Sequence, residues 1–315
     1  MNEGPVPSGP VATATPLWRR LIRPVLSLLL LALVGLFIAR STHLDDFERA
    51  VDRLPMWALW VGYLLGAVNL GIGAFRWGVL MRTFGARTVA PFRELLSATF
   101  IAHFYNTFVP GSFGGDLVRG YVTRKSFDQP ATGLFVVFFE RVVGLLALCF
   151  VAGAGLIVGP PIVDYAALAP WFAGVAAVGV LGVGVLLLTG RLSVFRQWLP
   201  RIEAPRLLWQ AGGISVVGHG ISVLSYVVMA RAMGLPMDVS GICAVVPLGL
   251  LSTILPIAVA GVSAREAMLV GLLGLLGVPP ADALIYCLSV VLAGLALAAT
   301  GGLLQLVQPK VLRYH

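Results

Sequence analysis

Two stretches of this sequence repeat one spacing of threonine, proline, glycine and arginine. Each reads T-x-x-P-x-x-x-[GA]-G-x-x-x-R, and the pattern ends at Arg119 in the first stretch and at Arg265 in the second. Proline and glycine interrupt helices, and in a bilayer an interruption is tolerated only where the freed backbone groups are buried in protein or line a wet cavity. Paired interruptions in matching positions of two halves indicate a transporter-type binding site. The predicted breaks are Pro110, Pro256 and Gly261, and the alternative is a chance match in a glycine-rich chain.

Ionisable residues stand in or beside these apolar stretches. Each costs about 2.5 to 3.5 kcal/mol at the centre of a membrane, so each is expected to pair or to face water. Glu140 and Arg141 are adjacent on one predicted helix and point about 100° apart, so each needs a partner elsewhere. The full set is Asp116, Arg119, Glu140, Arg141, Arg265 and Glu266.

A cationic pocket for a lipid phosphate is the hypothesis that these residues suggest. Arg119 and Arg265 would supply the charge, and helices that begin after the breaks would add their positive ends. The predicted phosphate-binding set is Arg119, Arg265, Asn106, Gly114 and Gly115, and the predicted counter-ion or proton-coupling set is Asp116, Glu140, Arg141 and Glu266. The alternatives are internal ion pairs for both arginines, a capping box from Ser263 to Glu266, and a plain N-cap at Asp116.

Composition defines the class of protein. Apolar residues make up 58% of the chain and charged residues 11%, and the mean hydropathy is +0.94, which predicts an all-α polytopic membrane protein. The net charge of +8 comes from arginines in loops, so we predict no nucleic-acid partner. The three cysteines lack metal or disulfide spacing, and no Walker or dehydrogenase motif occurs, so neither a metal nor a cofactor is predicted.

The apolar runs divide the chain into six full spans and two broken segments. The predicted spans are 25–39, 55–80, 131–158, 166–190, 207–232 and 282–306, and the broken helical hairpins are 92–125 and 238–278. The count rises to eight spans if the hairpins cross the membrane. A disordered tail (1–16) precedes a single transmembrane domain (17–308) with halves at about 20–160 and 161–308, and a short tail (309–315) follows it.

Loop charges predict the orientation. Arginine and lysine concentrate in 17–23, 76–93, 119–125, 190–206 and 309–315, whereas 43–53 is acidic, so both termini are predicted to be cytoplasmic. The first hairpin would then enter from the cytoplasm and the second from outside. The halves form an inverted-topology repeat, an arrangement that permits alternating access.

Some polar and small residues have more local interpretations. Arg76, near the end of its span, is predicted to extend to the membrane interface. His103 would contact a headgroup or bond a neighbouring carbonyl, and His219 would serve helix packing. Close helix contacts are predicted at Gly62 and Gly66 and at Gly271, Gly274 and Gly277.

Three stretches carry a resemblance to a known family: the run from Asn106 to Arg119, which reads N-x-x-x-P-G-x-x-G-G-D-x-x-R, the pair Glu140-Arg141, and Pro256 to Glu266. Together they resemble the lysylphosphatidylglycerol synthase transmembrane-region family, often described as flippase-like. The resemblance covers about residues 20–308. It implies a lipid-translocating region, with stand-alone members moving other lipids or lipid-linked sugars. The chain ends at His315 without an aminoacyl-transfer domain, so lysyl transfer is not predicted, and its second motif is less glycine-rich than that of the family.

The function predicted from these features is non-enzymatic translocation of an anionic or phosphate-bearing lipid between leaflets of the bacterial cytoplasmic membrane. The substrate would be a phospholipid or a lipid-linked sugar, and a proton or the lipid gradient would drive it. One alternative is a membrane-embedded transferase acting on a polyprenyl-phosphate or phospholipid, with Asp116 or Glu140 as general base. Another is a regulatory subunit of a lipid-modifying complex, with a lipid-synthesising enzyme as its partner.

Overall fold

The computed structural model describes residues 44–109, 113–159, 202–254, 258–259 and 262–308. Both predicted tails, the predicted spans 25–39 and 166–190, and the break residues Pro110, Pro256 and Gly261 lie outside the described residues. Within the described residues the helices are α1 (Leu44–Asp52), α2 (Met56–Thr83), α3 (Phe92–Phe108), α4 (Gly114–Val122), α5 (Ala131–Val158), α6 (Arg206–Ala232), α7 (Val239–Leu251), α8 (Ala264–Leu275) and α9 (Pro280–Val307).

Four of these helices, α2, α5, α6 and α9, are long and apolar enough to cross a membrane. Each has 27 or 28 residues, a length of about 40 Å at 1.5 Å per residue. Their bounds lie within three residues of four predicted spans, which confirms those spans. The protein is therefore a multi-pass helical membrane protein.

Proline and glycine set the ends of these helices. A proline directly precedes the first residue of α2, α3, α5, α6 and α9, where its missing N–H costs no helical hydrogen bond. After α2, α6 and α8 the chain turns at a glycine with positive φ, at Gly85, Gly234 and Gly277. The next residue then donates its N–H to a carbonyl five residues back, which closes a Schellman-type end.

The two predicted hairpins are pairs of shorter helices that pack on each other. In the first pair, α4 folds back so closely that a Cβ on Gly115 would overlap the carbonyl of Ala102 in α3. In the second pair, α7 and α8 run antiparallel, with Gly249 against Leu269 and Gly241 against Leu276. Two-residue strands β1 (Ala258–Val259) and β2 (Val262–Ser263) pair antiparallel between α7 and α8. The proline and glycine of this motif predict a break here but no strands.

The helices surround a central contact between α2 and α6. Around it, α5 packs on α7 and α9 packs on α3. Both of these contacts are close at a glycine: a Cβ on Gly155 of α5 would overlap the Cys243 carbonyl, and one on Gly301 of α9 would overlap the Phe100 carbonyl. The buried apolar side chains form two clusters, one mainly from α2, α3 and α5 and one mainly from α6 to α9.

The described loops separate into two ends of opposite charge. At the basic end (82–93, 123–130 and 202–206), the Arg87 N–H donates to the Ser126 carbonyl and the Glu203 N–H to the Thr83 carbonyl, both at 2.8 Å. At the acidic end (48–55, 231–238 and 276–282), Arg53 pairs with Asp282 at 3.0 Å. The basic end carries Arg82, Arg87, Arg93, Arg124, Lys125 and Arg206 against Asp128 and Glu203.

Candidate functional site

A buried ion network joins α2, α4 and α5. Glu140 accepts hydrogen bonds from two arginines, Arg76 Nη2 at 2.8 Å and Arg119 Nη1 at 2.7 Å. Asp116 also accepts from two, Arg119 Nη2 at 3.2 Å and the Nε of Arg141. Within the described residues, three guanidinium groups therefore share two carboxylates. Charges removed from water in this way are tolerated only when they are paired and hydrogen-bonded.

Local structure places Arg119 at the centre of this network. Asn106, near the end of α3, accepts a hydrogen bond from the Gly115 N–H at 2.8 Å and so caps the start of α4. Arg119 follows one turn later and stacks over the Trp77 ring of α2 at 5.2 Å. Glu140 lies about 14 Å from the start of α5 and is only 2% exposed. The backbone close approach at Gly115 thus brings the α4 arginine to a carboxylate deep inside the protein.

A second ion pair lies at the start of α8. Arg265 donates from Nε to the Glu266 carboxylate at 2.6 Å, and a second nitrogen of the same guanidinium contacts the same oxygen. The Glu266 side chain is buried, whereas 22% of the Arg265 side chain is exposed. Arg265 therefore keeps part of its surface accessible to a neighbouring cavity.

The larger of two central cavities has a volume of about 560 Å³. It is lined from α2, α3 and each helix from α5 to α9, and Arg265 and Arg141 are the charged residues among the described part of its lining. Its remaining polar lining consists of amide and hydroxyl side chains and one imidazole, from Asn69, His103, Asn106, Thr107, Ser222, Ser225, Tyr226 and Thr253. This volume is within the range of small-molecule sites in proteins, about 300 to 1,000 Å³.

A smaller cavity of about 320 Å³ adjoins it and contains the ion network residues Arg76, Arg119 and Glu140. On α2 the larger cavity is lined by 62–70 and the smaller by 69–76, so the larger lies nearer the acidic end. The two cavities share the lining residues Asn69, Leu70, His103, Asn106, Ser222, Leu250 and Thr253. Asn69 Nδ2 donates to Ser222 Oγ at 3.0 Å, so a polar contact between α2 and α6 lies where the two cavities meet.

The structure does not bring the two predicted phosphate-binding arginines into one cavity. Arg119 is held by Glu140 and Asp116 beside the smaller cavity, and Arg141 lies with Arg265 in the larger one. The reason is electrostatic, since a buried guanidinium is stabilised most by the two carboxylates nearest to it.

The other predicted site residues have structural partners. Gly114 and Gly115 are packed against α3, and Asn106 caps α4 while lining both cavities. Asp116 is the third residue of α4 and bonds arginines, so it is not an N-cap. His103 bonds the Gly294 carbonyl at 3.2 Å and His219 the Gly144 carbonyl at 2.9 Å. The capping interaction predicted from Ser263 involves a side chain outside the described residues.

Arg76 differs most from its sequence-based prediction. It does not extend to the interface but bonds Glu140 and, through Nη1, Ser215 Oγ at 3.0 Å. Sequence reasoning also missed Asn69, Ser215 and Ser222 as a group. The available signal was their spacing: Asn69 and Arg76 are seven residues apart on α2, as are Ser215 and Ser222 on α6, so each pair occupies one helix face.

These features define a class: a multi-pass helical membrane protein with two broken helix pairs, a buried ion network and two adjoining polar cavities. The chain belongs to the family described as the lysylphosphatidylglycerol synthase TM region, whose model matches residues 24–302. The match confirms the resemblance predicted from the motifs and indicates a membrane function related to lipids. A search of curated proteins finds no match to this chain.

Proposed function

We propose that this protein is a non-enzymatic translocase that moves an anionic, phosphate-bearing lipid headgroup between the leaflets of a bacterial cytoplasmic membrane. The observation that carries the proposal is the larger cavity, where Arg141 and Arg265 lie among neutral polar groups between membrane-spanning helices. A cavity with polar groups at this depth gives a headgroup a path that avoids hydrocarbon. Its lipid tails would remain in the bilayer outside the helices.

Pairing of the helices supports an inverted repeat, an arrangement that permits translocation by alternating access. The first-half helices α2, α3, α4 and α5 correspond in order to α6, α7, α8 and α9. Under this correspondence, the contact between α5 and α7 is equivalent to the contact between α9 and α3. The contact between α5 and α6 is equivalent to the one between α9 and α2. The contacts α4–α5, α2–α3 and α3–α4 likewise have counterparts in α8–α9, α6–α7 and α7–α8.

Side-chain contacts support the same correspondence. The motif residues Arg119 and Arg265 are 146 positions apart, as are Gly155 and Gly301, which make equivalent close approaches. With that offset, Asn69 corresponds to Ser215 and Arg76 to Ser222. The two bonds between α2 and α6, Asn69 to Ser222 and Arg76 to Ser215, are then each other's symmetry mates. A pseudo-two-fold axis through this contact would relate the two cavities.

The carboxylates favour a structural role over catalysis. Glu140 and Asp116, the candidate general bases of a transferase, each accept hydrogen bonds from two arginines. Both carboxylates are thus already engaged by arginines of the protein itself. We therefore propose no covalent chemistry. We assign the network a structural role: it holds α2, α4 and α5 together while access to the cavities changes from one side of the membrane to the other.

Reconstitution into liposomes tests the proposal. The native protein, with fluorescent phosphatidylglycerol in the inner leaflet, is expected to accelerate leaflet exchange over protein-free vesicles. Arg265→Gln removes one cationic group of the larger cavity and is expected to slow exchange about tenfold or more, as loss of a charged hydrogen bond of about 1.5 to 3 kcal/mol would do. Arg87→Gln is the matched control, because Arg87 is 71% exposed at the basic end.

Four outcomes decide between translocation and its alternatives. Exchange that Arg265→Gln slows and Arg87→Gln leaves unchanged supports translocation through the larger cavity. Absence of exchange for every anionic lipid contradicts it. A chemically modified lipid in the vesicle extract contradicts it in favour of a transferase, and retention of a stoichiometric enzyme during purification would favour a regulatory subunit.

A further inference from the structure

The charged residues in the described lining of the larger cavity are all positive. Among the described residues its lining includes the guanidinium groups of Arg141 and Arg265 and no carboxylate. Glu266 and Asp116, the partners of these arginines, are 5% and 12% exposed at their side chains. The cavity is therefore suited to a negative group, and a cationic group entering it would meet two guanidinium groups and no carboxylate in the described lining.

The neutral part of the lining consists of groups that both donate and accept hydrogen bonds. Asn69 and Asn106 contribute amides, and Ser222 and Ser225 contribute hydroxyls. These groups match the hydroxyls of a glycerol or a sugar, which also donate and accept. A quaternary or primary amine would instead require carboxylates or a cage of aromatic rings, and beyond the His103 imidazole the described lining holds one aromatic ring, that of Tyr226.

The size of the cavity exceeds what a bare phosphate needs. A volume of about 560 Å³ equals roughly nineteen water volumes of about 30 Å³ each. A phosphate at the two arginines would leave most of this space to a substituent. The neutral donors and acceptors line that remaining space, on α2, α3 and α6.

We infer that the larger cavity selects a hydroxyl-rich anionic headgroup, a phosphodiester that carries glycerol or a sugar, and rejects headgroups that carry a free amine. This inference rests on the proposed translocation and narrows its substrate. Two sources supply this chemistry, a glycerophospholipid with a polyol headgroup and a polyprenyl-phosphate sugar. An aminoacylated lipid such as lysyl-phosphatidylglycerol, with its added positive charges, belongs to the rejected class.

Lipid binding by the full-length protein in detergent tests the selectivity without requiring transport. Native mass spectrometry compares phosphatidylglycerol, a short-chain polyprenyl-phosphate hexose, phosphatidylethanolamine and lysyl-phosphatidylglycerol. We expect the first two to bind at least tenfold more tightly than the two amine lipids, and the better of the first two identifies the source. Equal or tighter binding of an amine lipid would overturn the inference.

A charge-switch variant tests whether the larger cavity sets the preference. Ser225→Asp adds a carboxylate to the lining and should shift relative binding toward lysyl-phosphatidylglycerol by about tenfold, whereas Ser225→Asn, which has the shape of the aspartate without its charge, should leave relative binding unchanged. An equal shift in both variants, or none in a folded Ser225→Asp protein, would overturn the assignment to this cavity. If Ser225→Asp does not fold, the native lipid panel alone decides.

The two proposals fail in distinguishable ways. If liposomes show exchange of amine lipids as fast as of phosphatidylglycerol, translocation stands and the selectivity is wrong. If phosphatidylglycerol or the hexose lipid binds selectively but no lipid changes leaflet, the selectivity stands and the cavity serves another function.

Discussion

At the scale of single residues, Glu140 is the shared anion on which two helices depend. It accepts hydrogen bonds from Arg76 of α2 and Arg119 of α4, and Arg119 also stacks on Trp77. The low dielectric of this site makes each contact strong and makes a missing partner costly. Loss of the negative charge on Glu140 should therefore weaken the whole network rather than a single hydrogen bond.

We predict that Glu140→Gln destabilises the protein by about 3 to 5 kcal/mol, since it removes the buried charge that Arg76 and Arg119 share. The amide preserves the shape of the side chain, so the loss reports charge rather than packing. Reversible unfolding in mixed SDS micelles measures the free energy. Asp128→Asn is the control, because its ion pair with Arg87 has side chains 73% and 71% exposed and should change stability by less than about 1 kcal/mol. Equal effects of the two substitutions would contradict a stabilising role of the network.

At the scale of helices, glycines set how closely the broken pairs approach the spanning helices. On α5, a Cβ at Gly155 would overlap the Cys243 carbonyl of α7, whereas a Cβ at Gly153, two residues earlier, would meet nothing within 4 Å in the part of the chain that the structure describes. The corresponding contact of α9 with α3 occurs at Gly301. The two hairpins therefore press against spanning helices through backbone rather than through side chains.

We predict that Gly155→Ala destabilises the protein by about 1 to 3 kcal/mol, because the added methyl group must push α5 and α7 apart. Gly153→Ala, on the same helix, should be neutral or stabilising by up to about 1 kcal/mol through helix propensity. The same unfolding assay compares them. Similar losses for both alanines would mean that the α5–α7 contact is looser than the structure has it.

Glycine spacing alone predicted these contacts unevenly. Close contacts predicted at Gly62 and Gly66 are confirmed, with Ala293 and Leu297 of α9 as the neighbours. At Gly271 and Gly274 a Cβ would meet nothing within 4 Å among the described residues, so those two contacts stay predictions, and Gly277 ends α8 with φ +79°. Spacing shows that glycines share a helix face, but not whether another helix lies against it.

Long apolar runs predicted the four described spans well, because length and hydropathy alone decide whether a helix can cross a bilayer. The partners of charged residues were harder to predict. The sequence shows that Glu140 and Arg141 need partners elsewhere, and the structure places them 64 and 25 residues upstream, at Arg76 and Asp116. Those pairings depend on how helices cross, and for that reason Arg76 was wrongly assigned to the interface.

At the scale of the whole molecule, the charges of the two ends predict which end faces the cytoplasm. The basic end carries six basic residues against two acidic ones, whereas the acidic end carries Arg49, Arg53 and Arg231 against Glu48, Asp52, Asp238 and Asp282. Retention of arginine and lysine on the cytoplasmic side orients bacterial membrane proteins. The basic end should therefore be cytoplasmic, and the larger cavity should lie nearer the outer leaflet.

Single-cysteine labelling tests this orientation. We predict that Gln129→Cys, exposed at the basic end, reacts with a membrane-impermeant maleimide only in inside-out vesicles, and that Asp238→Cys, exposed at the acidic end, reacts only in intact spheroplasts. The unsubstituted protein is the control, since Cys149 and Cys287 are buried and Cys243 is half-buried. The reverse pattern would place Arg265 and the larger cavity nearer the inner leaflet, and would require the positive-inside argument to be abandoned for this chain. Labelling of both positions in one preparation would contradict a single orientation, and with it the assignment of the cavities to opposite halves of the bilayer.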